Sequence, residues 1–440
     1  MPNCRIIRPM IAVFALGITA VGFGGERSGD FPPPRVVRLP RNDAAPLPLA
    51  QLRPMELSDF EQLARRCNPT LAQAAARVQT ARAEWEQVGL YPNPEVGYRA
   101  NEMNADGTAG KQGGAVAQEI VTAGKLRRNR QVAAYQLRQA EWVWAAQHCR
   151  VMNDVRRAFY EVLAAQLTIE LAEKLIEIEE ASEQFAEERF RAAEISRVDL
   201  IQIRIEADSA RIEAEKARNR LRAAWRNLAV VVGDPELQPV RLSGAIFADL
   251  AELTWEESLD RLLCNSPVLA KARAGVNRAE ARLGRELVER IPNLDLQAGV
   301  FYDNASRDTI AEAGVGVSLP LFNRNQGNIR KAQAELAAAR GEVRRTALEL
   351  QQQLAAEFER YENALCRVEK YSREMLPNAQ KALELATQAY RQGETDYVSL
   401  LTVQRTFYRI NLDYIEALRE LRLTTVSIEG YLLGGGLQQH

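Results

Sequence analysis

From Leu294 to Asn304 the chain alternates. Leu294, Leu296, Ala298, Val300 and Tyr302 are separated by Asp295, Gln297, Gly299, Phe301 and Asp303. A period of two with unlike faces predicts a β-strand that is apolar on one side. Ala313, Val315, Val317 and Leu319, spaced by Gly314, Gly316 and Ser318, predict a partner strand. Weaker alternation at Glu95–Glu102 and Gly114–Val121 predicts a second pair. Nearly everything else has a helical period. Lys125–Val232 contains neither Gly nor Pro, and Leu163, Leu167, Leu171, Leu175 and Ile178 recur at steps of four and three among charged residues. This narrow stripe predicts two long helices packed lengthwise, divided by a break at Arg191–Asp199. The first, about Gly124 to Phe190, would be on the order of 100 Å long at ~1.5 Å per residue.

The plan occurs twice. Leu63–Val96 answers to Leu259–Leu296, and Glu188–Arg204 answers to Gln388–Gln404, at an offset near two hundred residues. Cys67 and Cys264, Pro92 and Pro292, and Phe190 and Tyr390 fall in matching places. Each copy reads as a helix (about Thr70–Gly89 and Val268–Arg290), a Pro-Asn breaker, two strands, a long helix and a returning helix. In the second copy Gly393 marks the break and Pro377 is expected to kink the long helix.

The N-terminus adds a compartment. Arg5 and Arg8 precede an apolar run from Met10 to about Phe23, the layout of a secretory signal peptide over 1–24. The run is shorter than the ~20 apolar residues of a spanning helix. Pro-rich residues 25–56 read as a linker, followed by repeats at 57–240 and 241–434 and a tail at 435–440. The chain is 46% hydrophobic with a net charge of −1, which leaves no basic excess for nucleic acid. Only His148 and His440 are histidines, so neither a His-rich metal site nor a catalytic constellation is expected. Nothing in the sequence calls for a cofactor or for an enzyme.

Strands of about ten residues suit a tilted outer-membrane strand, but a closed membrane barrel takes at least about eight strands. The expected fold is therefore mainly α with a small β part, four strands per chain contributing to a wall shared by several chains. Leu296, Val300 and Tyr302 would face lipid, and Asp295, Gln297 and Asp303 water. A soluble helical protein with a small β cap, acting as a periplasmic scaffold, is the alternative from another class.

The phrases "GLYPNPEVGY" (Gly89–Tyr98), "QEIVTAGK" (Gln118–Lys125), "VSLPLFNRNQGNIRKAQAEL" (Val317–Leu336) and "EMLPNAQKALELATQAYRQGETDYVSLLTVQRT" (Glu374–Thr406) carry a resemblance. Over roughly Leu57–Gly434 the chain resembles the TolC-type outer-membrane factors, and its wording is nearest the heavy-metal, CzcC-like branch. The resemblance implies a homotrimer with a twelve-stranded barrel and a helical tunnel across the periplasm. It also implies a periplasmic adaptor and an inner-membrane RND-type pump as partners, with drugs or secreted protein as alternative cargo.

The resemblance places the helix breaks at the periplasmic tip, where such proteins close the tunnel and meet the adaptor. Candidate residues there are Arg191, Arg197, Asp199, Arg391, Gly393, Glu394, Asp396, Ser399 and Thr402. Asp199 fits an acidic entrance position, whereas Ser399 and Thr402 occupy the second copy's places. Cys67 and Cys149 lie at matching depths on antiparallel helices, which makes a Cys67–Cys149 disulfide the expected pairing and Cys149–Cys264 its competitor.

Overall fold

The computed structural model describes residues 55–103, 109–244, 246 and 252–438. The expected signal peptide, and the expected linker except its last two residues, lie outside the described residues. The first repeat runs α1 (Leu57–Cys67), α2 (Pro69–Gln87), β1 (Glu95–Met103), β2 (Ala109–Ile120), α3 (Lys125–Arg191) and α4 (Arg197–Val232). The second runs α5 (Trp255–Asn265), α6 (Pro267–Glu289), β3 (Leu294–Asp303), β4 (Asp308–Val317), α7 (Gln326–Lys370), α8 (Leu376–Gln392) and α9 (Tyr397–Glu429).

The helix boundaries have local causes. Pro69 and Pro267 stand in the first turns of α2 and α6, where a missing N–H costs nothing. Asn68 caps α2 by accepting from the Thr70 amide at 3.0 Å, and its Nδ2 donates to the Val231 carbonyl at 2.8 Å. Gly124 and Asn325, with φ of 64° and 60°, turn the chain from strand into α3 and α7. Pro377 cannot donate in the helical ladder. A π turn at Tyr371–Met375 absorbs the break immediately before α8.

The helical seam differs from the sequence expectation. Leu167, Leu171 and Leu175 are only half-buried and Ile178 is exposed, whereas Ala172 of α3 is fully buried against Ala214 and Ala217 of α4. Small side chains let two long helices approach closely, and Ile169 and Ile176 pack beside that contact. Nearer the strands the core is larger. Phe60 meets Phe159 and Trp225, with ring centroids 5.8 and 6.0 Å apart. Leu354, Phe358, Tyr361 and Leu421 form the second repeat's counterpart. The C-terminal turn is tied to α3, because Asn153 Nδ2 donates to the Gly430 and Leu433 carbonyls, each at 2.8 Å.

The strands form one antiparallel sheet in the order β1-β2-β3-β4, so the two hairpins pair side by side through β2 and β3. Both hairpins extend further than the apolar alternation predicts: β2 begins at Ala109 and β4 at Asp308. The added residues are mixed: Lys111 Nζ lies 3.6 Å from Glu312 Oε1 across the sheet, while Ile310 stands opposite Phe301. Hydrophobic patterning does not register a strand end in which apolar and polar positions fail to alternate.

Candidate functional site: the sheet faces and the helical turns

The register sorts the sheet into two faces. Val96 opposes Val116, Val116 opposes Ala298 and Ala298 opposes Ala313. The same face carries Tyr98, Leu294, Leu296, Val300, Tyr302, Val315 and Val317, all exposed. The other face carries Arg99, Lys111, Asp295, Gln297, Asp303 and Glu312. There Arg99 Nη1 donates to Gln297 Oε1 at 3.0 Å. The polar side also carries the apolar Ile310 and, directly opposite it, Phe301. Phe301 is 4% exposed, its ring lying against Gly299, where an added Cβ would come within 2.5 Å of it. Leu296, Val300 and Tyr302 thus share one face, and Asp295, Gln297 and Asp303 the other, as the alternation predicts.

Strand and helix are fastened at the repeat junction. The Lys125 ammonium is buried and donates to Asn293 Oδ1 at 2.8 Å. The Thr122 hydroxyl donates to the Pro292 carbonyl at 2.5 Å, and Asn293 Nδ2 to Glu119 Oε1 at 2.6 Å. The sequence phrases ending in Gly124-Lys125 and containing Pro292-Asn293 meet here. Their role was not legible in either phrase alone.

At the far ends of the long helices the two turns are built alike. Ala193 and Gly393 adopt φ of 60° and 75°. The Glu194 amide donates to the Arg189 carbonyl at 2.9 Å, and the Glu394 amide to the Ala389 carbonyl at 3.0 Å. The caps that follow are mirror choices. Ser196 caps α4 by accepting from the Asp199 amide at 3.2 Å, while Asp199 Oδ2 accepts from the Ser196 hydroxyl at 2.8 Å. In the second turn Asp396 caps α9 and accepts from the Ser399 amide at 3.1 Å. Bonds from Ser399 hold the Asp396 carboxyl below the usual range. Carboxylate and hydroxyl have exchanged places, which accounts for serine at position 399 and gives Asp199 a capping role. Arg191 pairs with Glu187 at 3.6 Å, and the Thr402 hydroxyl donates to the Val398 carbonyl at 2.8 Å. Among the described residues Arg197, Arg391 and Glu394 make no ion pair.

The disulfide expectation is corrected. α1–α2 and α3 do run level here, since Gln147 Nε2 donates to Thr70 Oγ1 at 2.8 Å. Yet Cys67, Cys149, Cys264 and Cys366 are free thiols. The Cys67 thiol feels the charges of Asp234 and Arg66, and the Cys149 thiol those of Arg156 and Arg150, so the two sulfurs occupy different surroundings. Cys264 Sγ instead donates to Asp260 Oδ1 at 3.6 Å. Burial pushes the Cys67 and Cys149 thiols up, away from reactive thiolates. His148 stacks near Trp144, with centroids 5.6 Å apart, and burial lowers its pKa. No cluster of metal-ligating side chains occurs among the described residues. No described helix is long and apolar enough to cross a membrane.

A two-faced sheet at one end of paired long helices has a counterpart among known proteins. The sequence profile described as outer membrane efflux protein matches residues 61–234 and 258–432. The chain belongs to that family. It is an outer-membrane efflux component with a large periplasmic part. The cobalt-zinc-cadmium resistance protein CzcC of Cupriavidus metallidurans is 26% identical over 380 residues, spanning 86% of this chain and 90% of that one. The pyoverdine export outer membrane protein OpmQ of Pseudomonas aeruginosa is 23% identical over 416 residues, spanning 87% and 86%. A crystal structure of CusC, concerned with folding and transmembrane channel formation, superposes with a TM-score of 0.73 at 18% identity, covering 87% of this chain and 93% of that one.

Proposed function

We propose that three copies of this chain close a twelve-stranded barrel above a helical tunnel, and that this channel passes heavy-metal cations delivered by an inner-membrane RND-type pump and a periplasmic adaptor. The observation that carries the shared barrel is the sheet itself. Its apolar face suits lipid, but β1 and β4 each present an edge with no strand paired to it among the described residues. Unpaired backbone N–H and C=O groups are not tolerated in hydrocarbon, so the edges must be closed by other copies. The polar face, with Arg99, Lys111, Gln297 and Glu312, then lines the bore.

Adaptor contact is assigned to the two turns. Arg191, Arg197, Asp199, Arg391, Gly393, Glu394, Asp396, Ser399 and Thr402 all lie within a few residues of them, and Arg197, Arg391 and Glu394 are uncommitted charges. The similarity to CzcC supports metal cargo. The similarity to OpmQ supports an organic cargo as the second reading. A deletion strain decides between them. Sensitivity to cobalt, zinc and cadmium salts, relieved by the intact gene and unaccompanied by drug sensitivity, is the expected result. The reverse pattern overturns the metal reading. Absence of conductance from purified protein in planar bilayers overturns the channel in favour of a scaffold.

A further inference from the structure

At steps of seven along α3, Ala165, Ala172, Glu179 and Ala186 are all buried. Ala172 meets Ala214 and Ala217 of α4, and Ala186 meets Leu200, Ile203, Tyr397 and Leu401. Glu179 interrupts this run of alanines with a carboxyl group only 3% exposed. The charged and titratable groups around it are Glu206 on α4 and Arg405 and Tyr397 on α9, with Tyr390 of α8 beside Tyr397.

The charges there do not balance. Arg405 closes on Glu206 with two nitrogens, Nε lying 3.3 Å from Oε2. Arg204 and Arg211 are held by Glu180, Glu183 and Glu187 on the exposed side of α3. Among the described residues the cation that acts on Glu179 is Arg405, which is already engaged by Glu206. Glu179 Oε2, the Tyr397 hydroxyl and Gln404 Oε1 are also buried without a hydrogen-bond partner. An ionised Glu179 is therefore costly here, whereas its acid form brings a donor among orphaned acceptors. Burial, followed by the Glu206 charge, raises its pKa to about 7.

We propose that Glu179 is a proton-operated latch between the two hairpins. Protonated, it lets α9 seat against α3 and α4. Ionised, it draws water into the junction and loosens the α8–α9 hairpin from the α3–α4 hairpin at the periplasmic end of the tunnel. The gating consequence rests on the channel reading above, while the latch itself does not.

The sign follows from linkage. The seated state holds the proton more tightly than the loosened state, in which the group titrates near its ordinary value. The loosened population therefore rises with pH from about 4.5, by at most about tenfold per pH unit, and levels off above about 7. Hydrogen exchange of the α9 amides from Tyr397 to Arg405, corrected for intrinsic rates, reads the latch at pH 5 and pH 8. Wild type is expected to lose protection at pH 8, Glu179→Gln to stay equally protected at both, and Glu179→Ala, which completes the alanine run, to do the same. Flat protection in wild type, or a wild-type response in Glu179→Gln, overturns the latch. Bilayer conductance over the same range reads the gate: a rise with pH in wild type alone supports it. Exchange that responds while conductance does not overturns the gating role only.

Discussion

The Lys125 ammonium donates to Asn293 Oδ1 at 2.8 Å, joining the strand-to-helix corner of the first repeat to the helix-to-strand corner of the second. Lys125 is 6% exposed, so the bond is charge-assisted and largely shielded from water. Lys125→Ala leaves Asn293 short of a donor where two corners meet. The expected loss is about 1.5–3 kcal/mol, read as a lower melting temperature of the detergent-purified protein. An unchanged melting curve contradicts the assigned role of this corner.

The reversed caps make a second prediction. Asp396→Ala and Ser196→Ala each remove the acceptor for the third amide of a helix, and each is expected to cost about 1 kcal/mol. Because the two turns use the same pair of groups in opposite order, the double exchange Asp396→Ser with Ser399→Asp should restore most of the loss. Thermal unfolding of the single and double variants checks this. A double variant no better than Asp396→Ala would mean that the carboxylate is needed at position 396 for another reason.

A third prediction separates the sheet faces. Val300 lies near the middle of β3 on the apolar face and is 57% exposed in the single chain. Val300→Lys puts an ammonium against hydrocarbon, which costs about 2–4 kcal/mol near the bilayer midplane. Ala117→Lys puts the same charge on the polar face, directly opposite Glu95, and should be tolerated. The fraction recovered in outer membranes, compared by immunoblot, should fall for the first variant and hold for the second. Equal recovery would remove the lipid assignment of the Val300 face.

What the sequence made legible follows from which forces are local. The alternation at Leu294–Asp303 gave the strand and its faces because a half-buried strand writes its environment at a period of two. The Gly- and Pro-free stretch gave α3 and α4 because nothing there breaks a helix, and Gly393 gave its turn because φ is positive. The counterpart Ala193 escaped notice, since an alanine in the left-handed region has no compositional mark. The seam was misplaced onto leucines because patterning weighs hydrophobicity, whereas the close contact of α3 with α4 depends on small volume at Ala172, Ala214 and Ala217. Depth along a helix was readable for Cys67 and Cys149, but rotation about the helix axis, which decides where a thiol points, was not. Lys125 and Asn293 are 168 residues apart, and only the tertiary fold brings them together.

Glu206 and Arg405, 199 residues apart, carry the last prediction. The Glu206 side chain is 13% exposed and the Arg405 side chain 63%, so the pair sits at the margin of the junction with its acidic partner facing inward. Arg405→Ala strands one carboxylate beside another. At pH 5 Glu179 is protonated in the folded chain, because its pKa is raised to about 7, and only Glu206 is left uncompensated. The loss of stability there should be on the order of 1 kcal/mol, the range of a partly solvated pair. From about pH 4.5 to about 7 the folded wild-type chain keeps a proton that the unfolded chain has released, and this cost levels off once Glu179 ionises. Removing Arg405, which lowers the Glu179 pKa, lets the same cost keep growing above pH 7. At pH 8 the loss should therefore exceed that at pH 5, by about 1.4 kcal/mol for each unit by which the Glu179 pKa rises. Adding Glu206→Gln to Arg405→Ala takes away the stranded charge and should recover most of the difference between the two pH values. Melting temperatures of wild type, Arg405→Ala and the double variant at pH 5 and 8 test the scheme, and a penalty that is the same at both would show that Glu179 and Glu206 do not share one electrostatic environment.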